Sequence, residues 1–185
     1  MWILAISGSL RAQSSNTAVL SAAARLAPAG MEIVPCRGLA TLPHFDPDLD
    51  TEDPPVAVRA LRDEIGACHG LLISSPEYAR GVAGTMKNAL DWLVRSTEFP
   101  QKPVALINAS PRAVHADAHL RLTLTTMSAR LIEPASITLA LLGRGLDADA
   151  IVRDPDLSSR LRVALEQFSE AIASLASAAR TDAWA

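Results

Sequence analysis

Three apolar runs constrain the fold of this chain more than any other feature: Ile3-Leu4-Ala5-Ile6, Gly70-Leu71-Leu72-Ile73 and Val104-Ala105-Leu106-Ile107. None is interrupted by polar residues, so each reads as a strand covered on both faces. Each also stops abruptly at small polar residues, Ser7-Gly8-Ser9, Ser74-Ser75-Pro76 and Asn108-Ala109-Ser110 in turn. Longer stretches with helical spacing lie between them. This order predicts strands at 3–6, 31–34, 71–74, 103–107 and 132–139, the last broken early by Pro134. It predicts helices at 15–26, 54–67, 85–94, 116–129 and 155–178, with Pro54 and Pro55 suited to the first turn of the second.

Strands alternating with helices indicate a parallel sheet between two helical layers, and right-handed crossovers leave few ways to connect it. The expected fold class is α/β: a flavodoxin-like three-layer sandwich, with a five-stranded parallel sheet in the order 2-1-3-4-5. A chain of 185 residues is expected to form one domain over 1–185, burying roughly 70% of its unfolded surface. Residues 176–185 read as a loosely ordered tail, in which Trp184 can dock on a neighbour. Ligands in such sheets sit outside the carboxyl ends of the strands, here at the switch point between strands one and three. Function is therefore sought in the loops that follow them.

Charge and cysteine content narrow the classes. A net charge of −3 provides no basic stripe for nucleic acid. The apolar N-terminal run has no basic leader and is too short to span a membrane. Cys36 and Cys68 are isolated, with no CxxC spacing, which reads as two buried thiols in a reducing cytoplasm.

The first loop carries Ser7, Gly8, Ser9, Arg11, Ser14, Ser15, Asn16 and Thr17. Hydroxyls, an amide and a helix N-terminus together form a natural seat for phosphate. Arg11 can add a bidentate contact. No Walker loop and no GxGxxG is present, so a phosphate monoester suits the loop better than a triphosphate or pyrophosphate. The same residues also read as an ordinary cap, with Ser14 or Ser15 on the helix and Arg11 in solvent.

The motifs Gly8-Ser9-Leu10-Arg11 with Ser14 and Asn16, Leu42-Pro43-His44-Phe45-Asp46 with Asp48-Leu49, and Pro76-Glu77-Tyr78 through Gly84 to Lys87-Asn88-Ala89-Leu90-Asp91-Trp92 occur in this order. Together they resemble the NADPH-dependent FMN reductase family, which includes flavodoxin-like quinone, azo-dye and chromate reductases. The resemblance spans about residues 2–140. It implies non-covalently bound FMN and hydride transfer from NADPH or NADH through the flavin to a small-molecule electron acceptor, in a homodimer or homotetramer. It further implies that Ser9, Arg11, Ser14, Ser15, Asn16 and Thr17 surround the FMN phosphate. Pro76, Glu77, Tyr78 and Ala79 would line the ring and ribityl chain, and Ser110 and Arg112 would meet the other ring edge. No protein group is needed as a catalytic acid or base, since the chemistry is on the flavin. The chain departs from the family at Ala79-Arg80, where Asn-Gly is usual, and at Arg112-Ala113, where glycines follow Ser-Pro.

Residues in the third motif also have structural readings. Lys87 and Asp91 pair across one helical turn, Leu90 and Leu93 face the core, and Trp92 packs in the core or between subunits. Glu77 is expected to have a positional or interface role and not to act as a general base. Asp46, Asp48 and Asp50 alternate as in a calcium loop, but Thr51 and Ala57 occupy the positions that need Gly and Glu. His115 and His119 have no third ligand at a suitable spacing, and no Gly-x-Ser-x-Gly marks a serine hydrolase. The expected function is an FMN-dependent NAD(P)H oxidoreductase with ping-pong kinetics. Two other classes stand beside it: a flavodoxin-like electron carrier, and a sensor or scaffold that keeps flavin only for assembly.

Overall fold

The computed structural model describes residues 1–182. In chain order its elements are β1 (Trp2–Ser7), α1 (Ser15–Leu26), β2 (Glu32–Pro35), α2 (Val56–Ala67), β3 (Gly70–Ser74), β4 (Glu77–Tyr78) and β5 (Gly81–Val82). They continue with α3 (Gly84–Trp92), β6 (Pro103–Asn108), α4 (Val114–Thr126), β7 (Arg130–Leu131), β8 (Ile137–Thr138), α5 (Ala148–Arg153) and α6 (Pro155–Asp182).

The main sheet runs β2-β1-β3-β6-β7, with β8 also on β6 and every pairing parallel. This is the expected 2-1-3-4-5 order, but the fifth strand is in two pieces. Pro134 has no N–H to give a ladder, and Glu133–Ala135 forms a 3-10 turn instead. Ser136 bridges the gap: its Oγ accepts from the Leu106 N–H at 3.1 Å and donates to the Ile132 carbonyl at 3.0 Å.

Alternate residues of each strand feed opposite layers. Ile3 and Ala5 of β1 join Leu72, Ala105 and Ile107 beneath α1, α5 and α6. Leu4 and Ile6 join Leu71, Ile73, Val104 and Leu106 beneath α2, α3 and α4. Continuous apolar strands are thereby explained, because both faces are core. Gly70 is required by close packing: a Cβ there would lie 2.9 Å from Ile172 Cδ1 and 3.0 Å from Phe168 Cζ of α6.

Several expectations are corrected. Helix α2 starts at Val56, so Pro54 and Pro55 precede its first turn. The β4–β5 hairpin and the six-residue α5 are additions to the expected elements. Helix α6 extends beyond the expected Ala178 to Asp182. Trp184 lies outside the described residues.

Candidate active site

The loops after β1, β3 and β6 converge at the carboxyl ends of the central strands and enclose a crevice of about 310 Å³. From the first loop come Ser9, Arg11, Ser14, Ser15 and Asn16. The third loop contributes Pro76, Glu77 and Tyr78, and the loop after β6 contributes Ser110 and Arg112. The structure thus brings together ten of the twelve residues expected there and leaves out Thr17 and Ala79. Thr17 turns away because its Oγ1 bonds Ser7 Oγ at 3.0 Å. Ala79 occupies the tip of the β4–β5 hairpin.

Backbone constraints hold the first loop in place. Gly8 N–H donates to the Ser74 carbonyl at 2.8 Å, and Gly8 O accepts from Thr85 Oγ1 at 2.7 Å. A Cβ on Gly8 would sit 2.4 Å from Ser75 Oγ, so no larger residue fits without movement. Ser14 caps α1, its Oγ accepting from the Thr17 N–H at 3.4 Å. The first-turn N–H groups of Ser15 and Asn16 have no intrahelical acceptor. Asn16 is buried and lies against Ser74 Oγ at 2.9 Å. That hydroxyl also donates to the Ile107 carbonyl at 2.7 Å, which ties the loop to both β3 and β6.

Glu77 has a definite structural task. Its Oε2 accepts from the backbone N–H groups of His115 and Ala116, both at 2.9 Å. Ala113 at the head of α4 provides no side-chain cap, so the carboxylate from the third loop caps this helix from outside. The loop after β6 is braced locally. Asn108 Oδ1 accepts from the Ser110 N–H at 3.0 Å, and Ser110 Oγ accepts from the Arg112 N–H at 3.2 Å.

The third motif also pins a remote segment. Asn88 accepts from the Phe45 N–H at 2.8 Å and donates through Nδ2 to the Pro43 carbonyl at 2.9 Å. Trp92 Nε1 donates to the same carbonyl at 2.8 Å, and its ring meets Phe45 edge-on at 5.0 Å. Trp92 is therefore a core residue, fully buried. Lys87 and Asp91 form the expected one-turn pair at 2.5 Å. Asp46 caps the 3-10 turn Pro47–Leu49 by accepting from the Asp48 N–H, and Asp50 pairs with Arg62 at 2.8 Å.

A family model described as NADPH-dependent FMN reductase matches residues 1–141. The chain belongs to this family. It is 34% identical over 157 residues to an NAD(P)H-dependent FMN reductase of Pseudomonas aeruginosa, covering 82% of this chain and 84% of that protein. It is 36% identical over 137 residues to a quinone reductase of Escherichia coli K12, covering 70% and 72%. Among solved structures, the flavoenzyme NAD(P)H:(acceptor) oxidoreductase FerB of Paracoccus denitrificans is similar with a TM-score of 0.72. That match has 26% identity and covers 91% of this chain and 97% of FerB.

The two departures from the FMN reductase pattern have different physical weight. Tyr78 pairs with Gly81 across the β4–β5 hairpin, so Ala79-Arg80 is a two-residue loop, and both residues have positive φ, 48° and 59°. Such a turn favours Asn-Gly because L side chains clash in the left-handed region. Replacing Ala79-Arg80 with Asn-Gly is expected to stabilise the protein by about 1–2 kcal/mol. Thermal unfolding should then shift up by about 2–8 °C; no shift would show that the turn carries no strain. Ala113, by contrast, has φ −85°, which requires no glycine.

Gln13, Ser75, Asn108, Ala109, Ala113 and Leu142 also line the crevice without having been anticipated. Asn108 had a signal, since it ends an apolar run as Ser7 and Ser74 do. Leu142 had none, because only the fold brings the segment after β8 to this site. Arg11 and Arg112 both line the crevice, and neither pairs with a carboxylate among the described residues. Burial pushes the Cys36 thiol up to about 11 and also raises Cys68. Both thiols stay protonated at neutral pH and are poor nucleophiles.

Proposed function

We propose that this FMN reductase family member is an FMN-dependent NAD(P)H oxidoreductase, with ping-pong transfer of a hydride to a quinone-like or other small oxidised acceptor, free flavin included. The observation that carries the reading is one crevice in which the α1 N-terminus, its hydroxyls and Arg11 meet the proline-bounded third loop. Its donor set suits a phosphorylated ring: hydroxyls, helix N–H groups and Arg11 gather in the first loop, with Arg112 in the loop after β6. Among the described residues the one carboxylate lining it, Glu77, is occupied at α4. When bound, FMN would supply the centre that takes up and releases the hydride.

In this reading Ser9, Ser14, Ser15, Asn16 and Arg11 hold the phosphate. Pro76, Glu77 and Tyr78 border the ring on one side, with Ser110 and Arg112 on the other. Glu77 positions the ring-edge loop through α4 and moves no proton. Arg112 and Arg80, exposed near the crevice, favour approach of an anionic nicotinamide nucleotide. Tyr78 and Val114 are 53% and 58% exposed, which supports a homodimer or homotetramer closing over this edge. Two free cysteines support a cytoplasmic location, and no described helix is long and apolar enough to cross a membrane.

The test begins with the absorbance spectrum of the purified protein and titration of its flavin-free form with FMN. Binding should quench flavin fluorescence, and NADPH should then bleach the bound chromophore. Arg11→Ala should raise the FMN dissociation constant by about tenfold or more, as expected for losing a charge-assisted hydrogen bond. Failure of the intact protein to bind FMN would reject the proposal.

A further inference from the structure

A second space lies beyond the phosphate end of the crevice. This groove of about 800 Å³ runs outward between α1 and the segment 142–148. Arg11, Gln13, Ser14, Ser15 and Leu142 line both spaces, so the two adjoin. Its size is within the roughly 300–1,000 Å³ usual for small-molecule sites, and it exceeds what a terminal phosphate needs.

The chemistry of the walls changes along the groove. At the junction stands Arg11, without a carboxylate partner among the described residues. Further out, Ala18, Leu142, Leu146 and Ala148 present apolar surface, while Ser21 on α1 adds a hydroxyl. Gly143 and Gly145 have positive φ of 78° and 61°, and a Cβ on either would meet nothing within 4 Å, so the chain leaves space there. Asp147 lines the groove, but its Oδ1 accepts from the Ala150 N–H at 2.8 Å and caps α5. One turn beyond Ser21, an ion pair between Arg25 and Asp149 ties α1 to α5 and steadies the two walls. A cationic junction followed by a trough of mixed polar and apolar walls suits a second phosphate, a ribose and a purine.

We propose that this groove is an adenylate subsite, so that the flavin site accepts FAD as well as FMN, with the adenylate half between α1 and residues 142–148. The inference rests on the flavin reading above. The missing GxGxxG does not oppose it: that motif serves a pyrophosphate seated on the helix N-terminus itself. Here the phosphate next to the ribityl chain takes that seat, and the second phosphate lies outward at Arg11.

The experiment titrates flavin-free protein with FMN, with chromatographically purified FAD and with riboflavin, following fluorescence quenching and identifying the released flavin by chromatography. FAD is expected to bind within about tenfold of FMN and to be recovered intact. Ser21→Trp, at an exposed position of α1, should weaken FAD by about tenfold or more while leaving the FMN affinity and the NADPH Michaelis constant unchanged. FMN binding with FAD weaker by about a hundredfold would overturn the subsite and leave the flavin reading intact; binding of neither would overturn both. FAD affinity insensitive to Ser21→Trp would overturn the placement. A raised NADPH Michaelis constant with unchanged FAD affinity would do the same, assigning the groove to the electron donor.

Discussion

Trp92→Ala is expected to destabilise the protein by about 3–5 kcal/mol, the range for deleting a buried aromatic side chain. For a chain of this size that lowers the thermal midpoint by roughly 6–20 °C. The ring is fully buried at the end of α3, so its removal leaves a cavity. The indole N–H bond to Pro43 and the edge-on contact with Phe45 disappear as well. Cleavage by a protease added at low concentration should then increase within residues 42–53, the segment these contacts pin. Trp92→Phe largely separates the two effects, since it keeps a six-membered ring in the core while losing the donor and the smaller ring. Asn88 still donates to Pro43 O, so that variant should cost about 1 kcal/mol. Equal losses in the two variants would show that packing is not the dominant effect.

Arg62→Ala should cost as much by a different route. Asp50 is 2% exposed, and its Oδ1 depends on Arg62 while Oδ2 has no partner. Breaking a buried pair by removing one member costs about 3–5 kcal/mol, because the remaining charge is uncompensated. Arg62 also donates through Nε to the Trp92 carbonyl at 3.2 Å, and Arg95 donates to the Asp50 carbonyl. Loss of the guanidinium therefore loosens α2, α3 and the segment before α2 together. Adding Asp50→Asn to Arg62→Ala should recover part of the loss in urea unfolding, since the unpaired charge is gone. A double variant no more stable than Arg62→Ala would refute the electrostatic account and leave packing of the arginine stem as the cause.

The elements that could be read before folding share one property: their pattern is local. Strands β1, β3 and β6 are continuous apolar runs, and α1 begins behind a serine cap at the residue expected. The β4–β5 hairpin was hidden because each strand is two residues long and Ala79-Arg80 replaces the Asn-Gly that normally marks such a turn. Helix α5 was missed because six residues are too few to establish a helical period. The expected helical positions of Pro54 and Pro55 failed for a related reason, as a run of prolines suits the approach to a helix as well as its first turn.

Site residues divide in the same way. Ser9, Arg11, Ser14, Ser15 and Asn16 lie within one loop and helix start, so their nearness follows from chain connectivity. Thr17 belongs to the same stretch, yet helical rotation turns it toward Ser7 and away from the crevice. For Glu77 a positional or interface role was readable, but its partners were not, since His115 and Ala116 lie 38 and 39 positions away.

Local residue pattern was enough for the layered α/β architecture, the strand order and the phosphate-side and ring-side loops, because strand burial and loop chemistry are written in neighbouring residues. Tertiary structure alone decided that Glu77 caps α4, that Trp92 and Asn88 hold the segment around Pro43, and that the loop at Leu142 borders the crevice. These depend on distances between residues far apart in the chain, and only packing of both helical layers on the sheet sets such distances.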